Sequence, residues 1–400
     1  MEINIVGGVY YENCISPQSN EFYGSGLRSA ISLSSSIDRI KLHSLKSDAA
    51  EGQLQCLSTS YNNVTCNLIK VPSLLSFYYY HPLSVPEISP HPLSIEEKPL
   101  IKVSGDNIIQ FGMLDANVKA DGCRVVYDLQ SIWNPRSFIK QGSKCEDLII
   151  IGNSTEIKKL GSASDIIEAG KNICQKENAA YVIIKRGALG GYVVSLDDCS
   201  SFGAYKSKTV FPIGSGDIFT SVFSYYWFNG HSPVEAAQKA SKATAFYVEN
   251  IYLPLDLQQI AIIPYEELKA KEEKKQIYLA GPFFNLNERW MIEESYRNLK
   301  SQTIDVFSPI HKVGRGDADK VVRKDLEGLN TSDVLFAIVD NLDSGTIFEI
   351  GYAVAKGIPV IAFSQKEAKE DLKMLYGSKC EIYDDYSTAI YKTIWRALEK

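Results

Sequence analysis

Two acids in this 400-residue chain follow turns in a way that would leave them facing a ligand. The first is Asp217, in Phe211-Pro212-Ile213-Gly214-Ser215-Gly216-Asp217-Ile218-Phe219-Thr220, ahead of an apolar helical pattern that runs to Phe228. Two glycines opening a helix leave backbone N–H groups uncovered, and the helix dipole adds partial positive charge, so a phosphate is stabilised there. Asp217 would then accept a proton from a hydroxyl attacking a γ-phosphate, while the amides of Gly214, Ser215 and Gly216 neutralise charge in the transition state. The same Gly-x-Gly-Asp string also describes an ordinary tight turn with an acidic helix start.

The second acid is Glu349, in Val339-Asp340-Asn341-Leu342-Asp343-Ser344-Gly345-Thr346-Ile347-Phe348-Glu349-Ile350-Gly351-Tyr352-Ala353. The pattern reads as a strand, a polar turn and a helix capped by Ser344 or a neighbour. Glu349 falls within or just past the first turn, where the dipole favours its ionised form. An ionised Glu facing a pocket acts as a nucleophile, provided no salt bridge claims it. Gly351 and Ala353 would keep the helix surface thin and let a ligand approach. On these residues alone, Glu349 as a helix-start acid and Asp343 as a turn former is also an open reading.

Both acids need a scaffold that ends strands at ligands. Val125-Val126-Tyr127-Asp128, Leu148-Ile149-Ile150-Ile151 and Tyr181-Val182-Ile183-Ile184 read as buried parallel strands. Later, 277–280, 304–307, 334–339, 359–363 and 380–383 repeat the rhythm, with helical stretches between them. The fold class is therefore α/β, with two doubly wound domains whose ligands lie at the carboxyl ends of the strands. The domains span 1–264 and 277–400, joined by a charged linker at 265–276 that has almost nothing to bury. Residues 72–99 hold six of the fifteen prolines and form an edge ribbon or a lid, and Tyr78-Tyr79-Tyr80 beside them stack on a ligand or simply pack.

Composition narrows the function. A net charge of -6 with no block of like charge gives no footprint for nucleic acid or an anionic membrane, so the expected partners are small molecules. No apolar run reaches the roughly 18 residues of a membrane span, and Glu2 stands where a signal peptide carries bases, so a cytoplasmic location is expected. The eight cysteines show no Cys-x-x-Cys pair, which predicts reduced, structural thiols.

Asn153-Ser154-Thr155-Glu156 after one strand, Lys185-Arg186-Gly187-Ala188-Leu189-Gly190-Gly191 after another, and the Gly214 to Asp217 turn occur in an order that resembles the PfkB, or ribokinase-like, family of sugar and nucleoside kinases. The likeness covers about residues 1–264. It implies a ribokinase-like sheet, Asp217 as catalytic base, Gly214, Ser215 and Gly216 as anion hole, Asn153 and Glu156 as magnesium and phosphate organisers, and Lys185 with Gly187 in the nucleotide wall. ATP and Mg2+ are the implied cofactors, with no metal fixed by protein alone. The departure is Tyr23-Gly24-Ser25-Gly26-Leu27-Arg28, where family members carry an Asn for the sugar in place of Arg28. That Arg either meets an anionic substrate or marks a pocket that no longer takes a sugar.

Tyr278-Leu279-Ala280-Gly281-Pro282-Phe283-Phe284, Arg323-Lys324-Asp325-Leu326 and the Asp343 to Ala353 string together resemble the nucleoside 2-deoxyribosyltransferase family across 277–400. The resemblance implies a smaller, flavodoxin-like parallel sheet and a double displacement at C1' of a nucleoside or its 5'-phosphate, with Glu349 as nucleophile. It further implies Asp343 and Asp325 at the base, Tyr278 positioning Glu349, substrate contacts from Gly281, Phe283, Gly345 and Thr346, no cofactor, and a homo-oligomer. Ser308 to Asp317 reads as a loop over the pocket or as a carrier of bases for a 5'-phosphate. The chain is thus expected to be a two-domain enzyme of nucleosides or nucleotides. The alternatives are a first domain that binds nucleotide without turnover, or a nucleotide sensor throughout.

Overall fold

The computed structural model describes residues 1–131, 134–268, 274–302, 304–314 and 316–399. They form two compact units, one of Met1–Ser207 with Pro212–Glu267, the other of Lys208–Phe211 with Leu268–Lys400. The short 208–211 segment therefore belongs with the second unit, where the Val210 amide donates to Thr388 Oγ1 at 2.9 Å. Of the segment read as a charged linker, Glu266 is tied to Lys206 and Lys275 is buried against Asp333, while 269–273 lie outside the described residues. No helix among the described residues is long and apolar enough to cross a membrane.

In the first unit nine described strands make one sheet, ordered Cys199–Phe202, Gly191–Val194, Tyr181–Lys185, Lys144–Asn153, Asn117–Asp128, Leu100–Phe111, Glu2–Val6, Arg39–Lys46, Val64–Lys70. All neighbours are parallel except the two pairs at the Cys199 end. The apolar runs 148–151 and 182–184 are buried, as strands covered on both faces require. The proline-rich stretch contributes Ser76–Tyr79 and Glu87–Ser89 to a separate four-stranded sheet with Tyr11–Cys14 and Ser19–Phe22. Local chemistry sets the helix starts: Asp165 caps Ile166–Glu177, and Ser232 with Pro233 and Glu235 forms a capping box for Pro233–Asn250.

The second unit is a five-stranded parallel sheet ordered Asp305–Phe307, Gln276–Ala280, Val334–Ile338, Val360–Phe363, Glu381–Tyr383. This is the flavodoxin-like order 2-1-3-4-5, whose first and third strands bound the crevice where ligands sit. Helices Leu286–Ser301, Ala318–Asn330, Ser344–Ala355 and Tyr386–Glu399 intervene or follow. The last buries Ile390, Ile394, Trp395 and Leu398, each contributing about 1.5–3 kcal/mol of transfer free energy. None of the eight cysteines forms a disulfide.

Candidate active sites

In the first unit helix Ser215–Phe228 opens at Gly214, whose φ of 80° is left-handed. A Cβ there would lie 2.3 Å from Arg28 Nε, so glycine serves both the backbone and the side chain packed on it. The Ser215 amide is turned back onto the Pro212 carbonyl at 3.0 Å, so the hole expected over Gly214, Ser215 and Gly216 is narrower than three free amides. Lys185 Nζ approaches Gly216, 3.4 Å from where a Cβ would stand.

Asp217 is buried and lines a cavity of about 240 Å³ with Glu12, Arg28, Tyr79 and Gln130. Its Oδ2 accepts from Arg28 Nη1 at 2.7 Å and its Oδ1 from Gln130 Nε2 at 2.6 Å. Arg28, only 2% exposed, also donates to both Glu12 oxygens and, through Nε, to the Tyr247 hydroxyl at 3.1 Å. Burial opposes its charge, but Glu12, Tyr247 and Asp217 outweigh that and hold its pKa well above the usual value. Arg28 is thus committed to Glu12, Asp217 and Tyr247 within this cavity. Gly24 and Gly26 start its helix because Cβ atoms there would collide with the Gly8 and Gly7 carbonyl oxygens at 2.7 and 2.6 Å.

Asn153 and Glu156 form a capping box: Asn153 Oδ1 accepts from the Thr155 and Glu156 amides, and Glu156 Oε2 from the Asn153 amide at 2.8 Å. Burial, then the charge of Asp128, raises the Glu156 carboxyl to about 7. Lys185 Nζ pairs with Asp128 Oδ2 at 2.8 Å, and Thr220 Oγ1 donates to the same oxygen, while Asp128 Oδ1 is buried without a partner. Asp128 and Gln130, at the end of strand Asn117–Asp128, escaped the motif reading, as did Glu12. Gly187 sits apart, in a 3-10 turn with φ 54° after strand Tyr181–Lys185.

In the second unit a cavity of about 180 Å³ is lined by Glu349, Asp343 and Asp325 together with Gly281, Phe283, Gly345 and Thr346. Tyr278, fully buried beneath it, donates its hydroxyl to Glu349 Oε1 at 2.5 Å. Asp343 caps helix Ser344–Ala355, its Oδ2 accepting from the Thr346 amide and hydroxyl at 2.8 and 2.9 Å. It is therefore both the helix cap and a cavity wall. A Cβ on Gly281 would meet Ile292 at 2.9 Å, so glycine keeps this turn close to its neighbours, whereas one on Gly351 would meet nothing. At Gly351 no neighbouring backbone approaches, and the position faces open space.

The sequence reading placed Glu349 where the dipole favours ionisation. Its pKa is instead raised to about 7, first by burial and then by Asp325 and Asp343, with the Tyr278 bond opposing. Desolvation and like charge outweigh the dipole, which fades past the first turn. Burial likewise raises Asp325 to about 6, and its Oδ1 has no partner. Among the described residues no base pairs with Glu349 or lines this cavity. Of the bases at 308–317, His311 is stacked on Tyr296 and bonded to Glu293 and Ser308, Lys312 is exposed, and Arg315 lies outside the described residues. Ser308, Pro309 and Ile310 of that segment do line the cavity. No group of three or more His, Cys, Asp or Glu among the described residues is placed to hold a metal.

The family model for pfkB family carbohydrate kinases matches residues 123–255, and that for nucleoside 2-deoxyribosyltransferases matches residues 277–380. An uncharacterised protein of Ureaplasma parvum serovar 3 is 32% identical over 117 residues, 26% of this chain and 68% of its own. Among solved structures, a ribokinase from Thermotoga maritima is 14% identical with a TM-score of 0.46, over 65% of this chain and 98% of its own. A nucleoside kinase of Methanocaldococcus jannaschii is 10% identical with a TM-score of 0.47, over 65% and 96%. The chain thus joins a segment of the PfkB, ribokinase-like family to a segment of the nucleoside 2-deoxyribosyltransferase family.

Proposed function

We propose that the second unit breaks or exchanges the N-glycosidic bond of a nucleoside, or of its 5'-phosphate, through a glycosyl ester on Glu349. The observation that carries this reading is the Tyr278 hydroxyl held on Glu349 beside a cavity with two further acids. A Glu349 oxygen attacks C1', the C1'–N bond breaks, and its electron pair leaves with the base, which takes a proton from Asp325. Water or a ring nitrogen of a second base then attacks C1', returns its proton to Asp325, and expels the Glu349 carboxylate. Asp343, with one oxygen committed to the cap, has the other for the base. The test is chromatography of a nucleoside and nucleotide panel with and without a second free base. Free base alone means hydrolysis, exchanged nucleoside means transfer, and products unchanged in Glu349→Ala sink the reading.

For the first unit, the Gly216 turn and Lys185 suit the phosphates of ATP, and Glu156 with the unpartnered Asp128 oxygen suits its magnesium ion. ATP supplies a γ-phosphoryl group, and Asp217 would take the acceptor's proton if the unit is a kinase. A second reading, nucleotide binding without turnover, is favoured by one observation. Arg28 and Gln130 each donate to one Asp217 oxygen, so an acceptor hydroxyl would compete with an ion pair and an amide bond already in place. ATP binding with no ADP formed over sugars and nucleosides supports this second reading, whereas an ADP-forming rate that disappears in Asp217→Asn restores the kinase.

A further inference from the structure

A second cavity of the first unit adjoins the Asp217 cavity at Gly112, Leu114 and Gln130 and otherwise has its own walls. Strands Leu100–Phe111 and Asn117–Asp128 run parallel over twelve residues each, yet only residues 112–116 join them. Five residues reach about 20 Å, and a straight strand of this length spans about 40 Å. The strands must therefore bend, and Gly105 and Gly122, paired in register, permit it: a Cβ on Gly122 would lie 2.8 Å from the Gly105 carbonyl oxygen. Parallel neighbours usually need a crossover of a dozen residues, commonly a helix. Five residues cannot supply one, and a cavity of about 650 Å³ opens between the 112–116 connection and the proline-rich ribbon at 86–93.

Its walls carry three polar side chains with hydrogen-bonding or charge capacity left over. Gln110 is 1% exposed, lines the cavity, and leaves its Oε1 without a partner. A buried acceptor of this kind costs about 1–3 kcal/mol, so stability alone is better served by a leucine. Lys98 and Arg136 line the same cavity, and among the described residues neither has an ion-pair partner, although Arg136 Nη1 donates to Asn117 Oδ1 at 2.9 Å and to the Ala116 carbonyl at 3.4 Å. Burial and the Arg136 charge depress the Lys98 ammonium, with Asp115 opposing. The nearby acids are engaged elsewhere: Asp115 accepts from the Tyr10 hydroxyl, and Glu87 from that of Tyr80. Phe111, Met113 and Leu129 make up apolar wall between these groups.

We infer that this cavity binds an organic anion of nucleoside monophosphate size: a flat ring with an N–H or O–H donor for Gln110, carrying a phosphate or carboxylate for Lys98 and Arg136. The volume lies within the range of small-molecule pockets, the ring answering Gln110 and the anion answering Lys98 and Arg136. The site is separate from the Asp217 cavity but shares a wall with it at Gly112, Leu114 and Gln130, the last with a left-handed φ of 43°.

The test uses the full chain carrying Glu349→Gln, so that nucleotide is not consumed, with calorimetric titration of AMP, GMP, CMP and UMP. Each is compared with its nucleoside, with ribose 5-phosphate, with benzoate and with inorganic phosphate. At least one monophosphate should bind about tenfold or more tightly than its nucleoside, and Lys98→Gln should collapse that ratio. Benzoate competing for the same site points to a carboxylate rather than a phosphate as the natural anion. Gln110→Leu should weaken the monophosphate and the nucleoside alike while leaving the melting temperature unchanged or higher. A ratio near one in the parent, a ratio that survives Lys98→Gln, or a lower melting temperature in Gln110→Leu overturns the assignment. Loss of base release at Glu349 would not, because Lys98 and Glu349 lie in different units.

Discussion

Glu349 and Asp325 share one difficulty: the acid that must be ionised has a pKa of about 7, and the one that must donate a proton has about 6. Only a minor fraction of the molecules holds the productive pair of protonation states, and that fraction is largest between the two values. The pH profile of kcat is therefore expected to be a bell with its maximum at about 6 to 7. Because the Tyr278 bond lowers the Glu349 pKa, Tyr278→Phe should move the alkaline limb to higher pH and reduce the maximum. A profile that keeps its alkaline limb in that variant, measured over pH 5 to 9, would separate Tyr278 from Glu349. Stability follows the same groups. A carboxyl raised on folding stabilises fully below its ordinary value and loses that contribution as pH climbs through the folded one, so both acids favour the folded second unit at pH 4 over pH 8.

Helix Ser344–Ala355 shows how an element sets the reach of a side chain. Its register puts Glu349 over Tyr278 only if the first turn is held, and Asp343 holds it through Thr346. Asn caps helices as well as Asp does, whereas Ala costs about 1 kcal/mol. Asp343→Asn should thus keep the denaturation midpoint while slowing base release, and Asp343→Ala should lower both. Equal losses in the two, read by urea titration beside the rate, would assign Asp343 to the cap alone. The strands at 125–128, 148–151 and 181–184, and the five after the linker, were legible because continuous apolar runs mark strands buried on both faces. The Glu349 cavity was legible too, since its residues come from motifs close to strand ends. What was not legible is the company Asp217 keeps. Arg28 and Asp217 are 189 positions apart, and Arg28 and Tyr247 are 219 apart, and no local period encodes a pairing at that range. The 650 Å³ cavity was hidden for a similar reason, because it arises from a missing crossover and not from a string of residues.

At the scale of the whole chain, two α/β units carry two acid sites of opposite character: Glu349 is raised toward neutrality and has no basic partner among the described residues, while Asp217 is held by one. That contrast bears on the proposed second reading, in which the first unit binds nucleotide without turnover. If nucleotide bound there governs the second unit, ATP and a non-hydrolysable ATP analogue should change the rate of base release by the same factor. Lys185→Ala should abolish the change by removing the cation beside Gly216, and Asp217→Asn should leave it in place. A coupled kinase predicts otherwise: ATP alone would act, it would act only on nucleosides with a free hydroxyl to phosphorylate, and Asp217→Asn would erase the effect. Base release measured with each nucleotide and each variant distinguishes the two, and a rate indifferent to both nucleotides would mean that the fused sites work independently, since by linkage a ligand shifts a second site only through a difference in affinity between states.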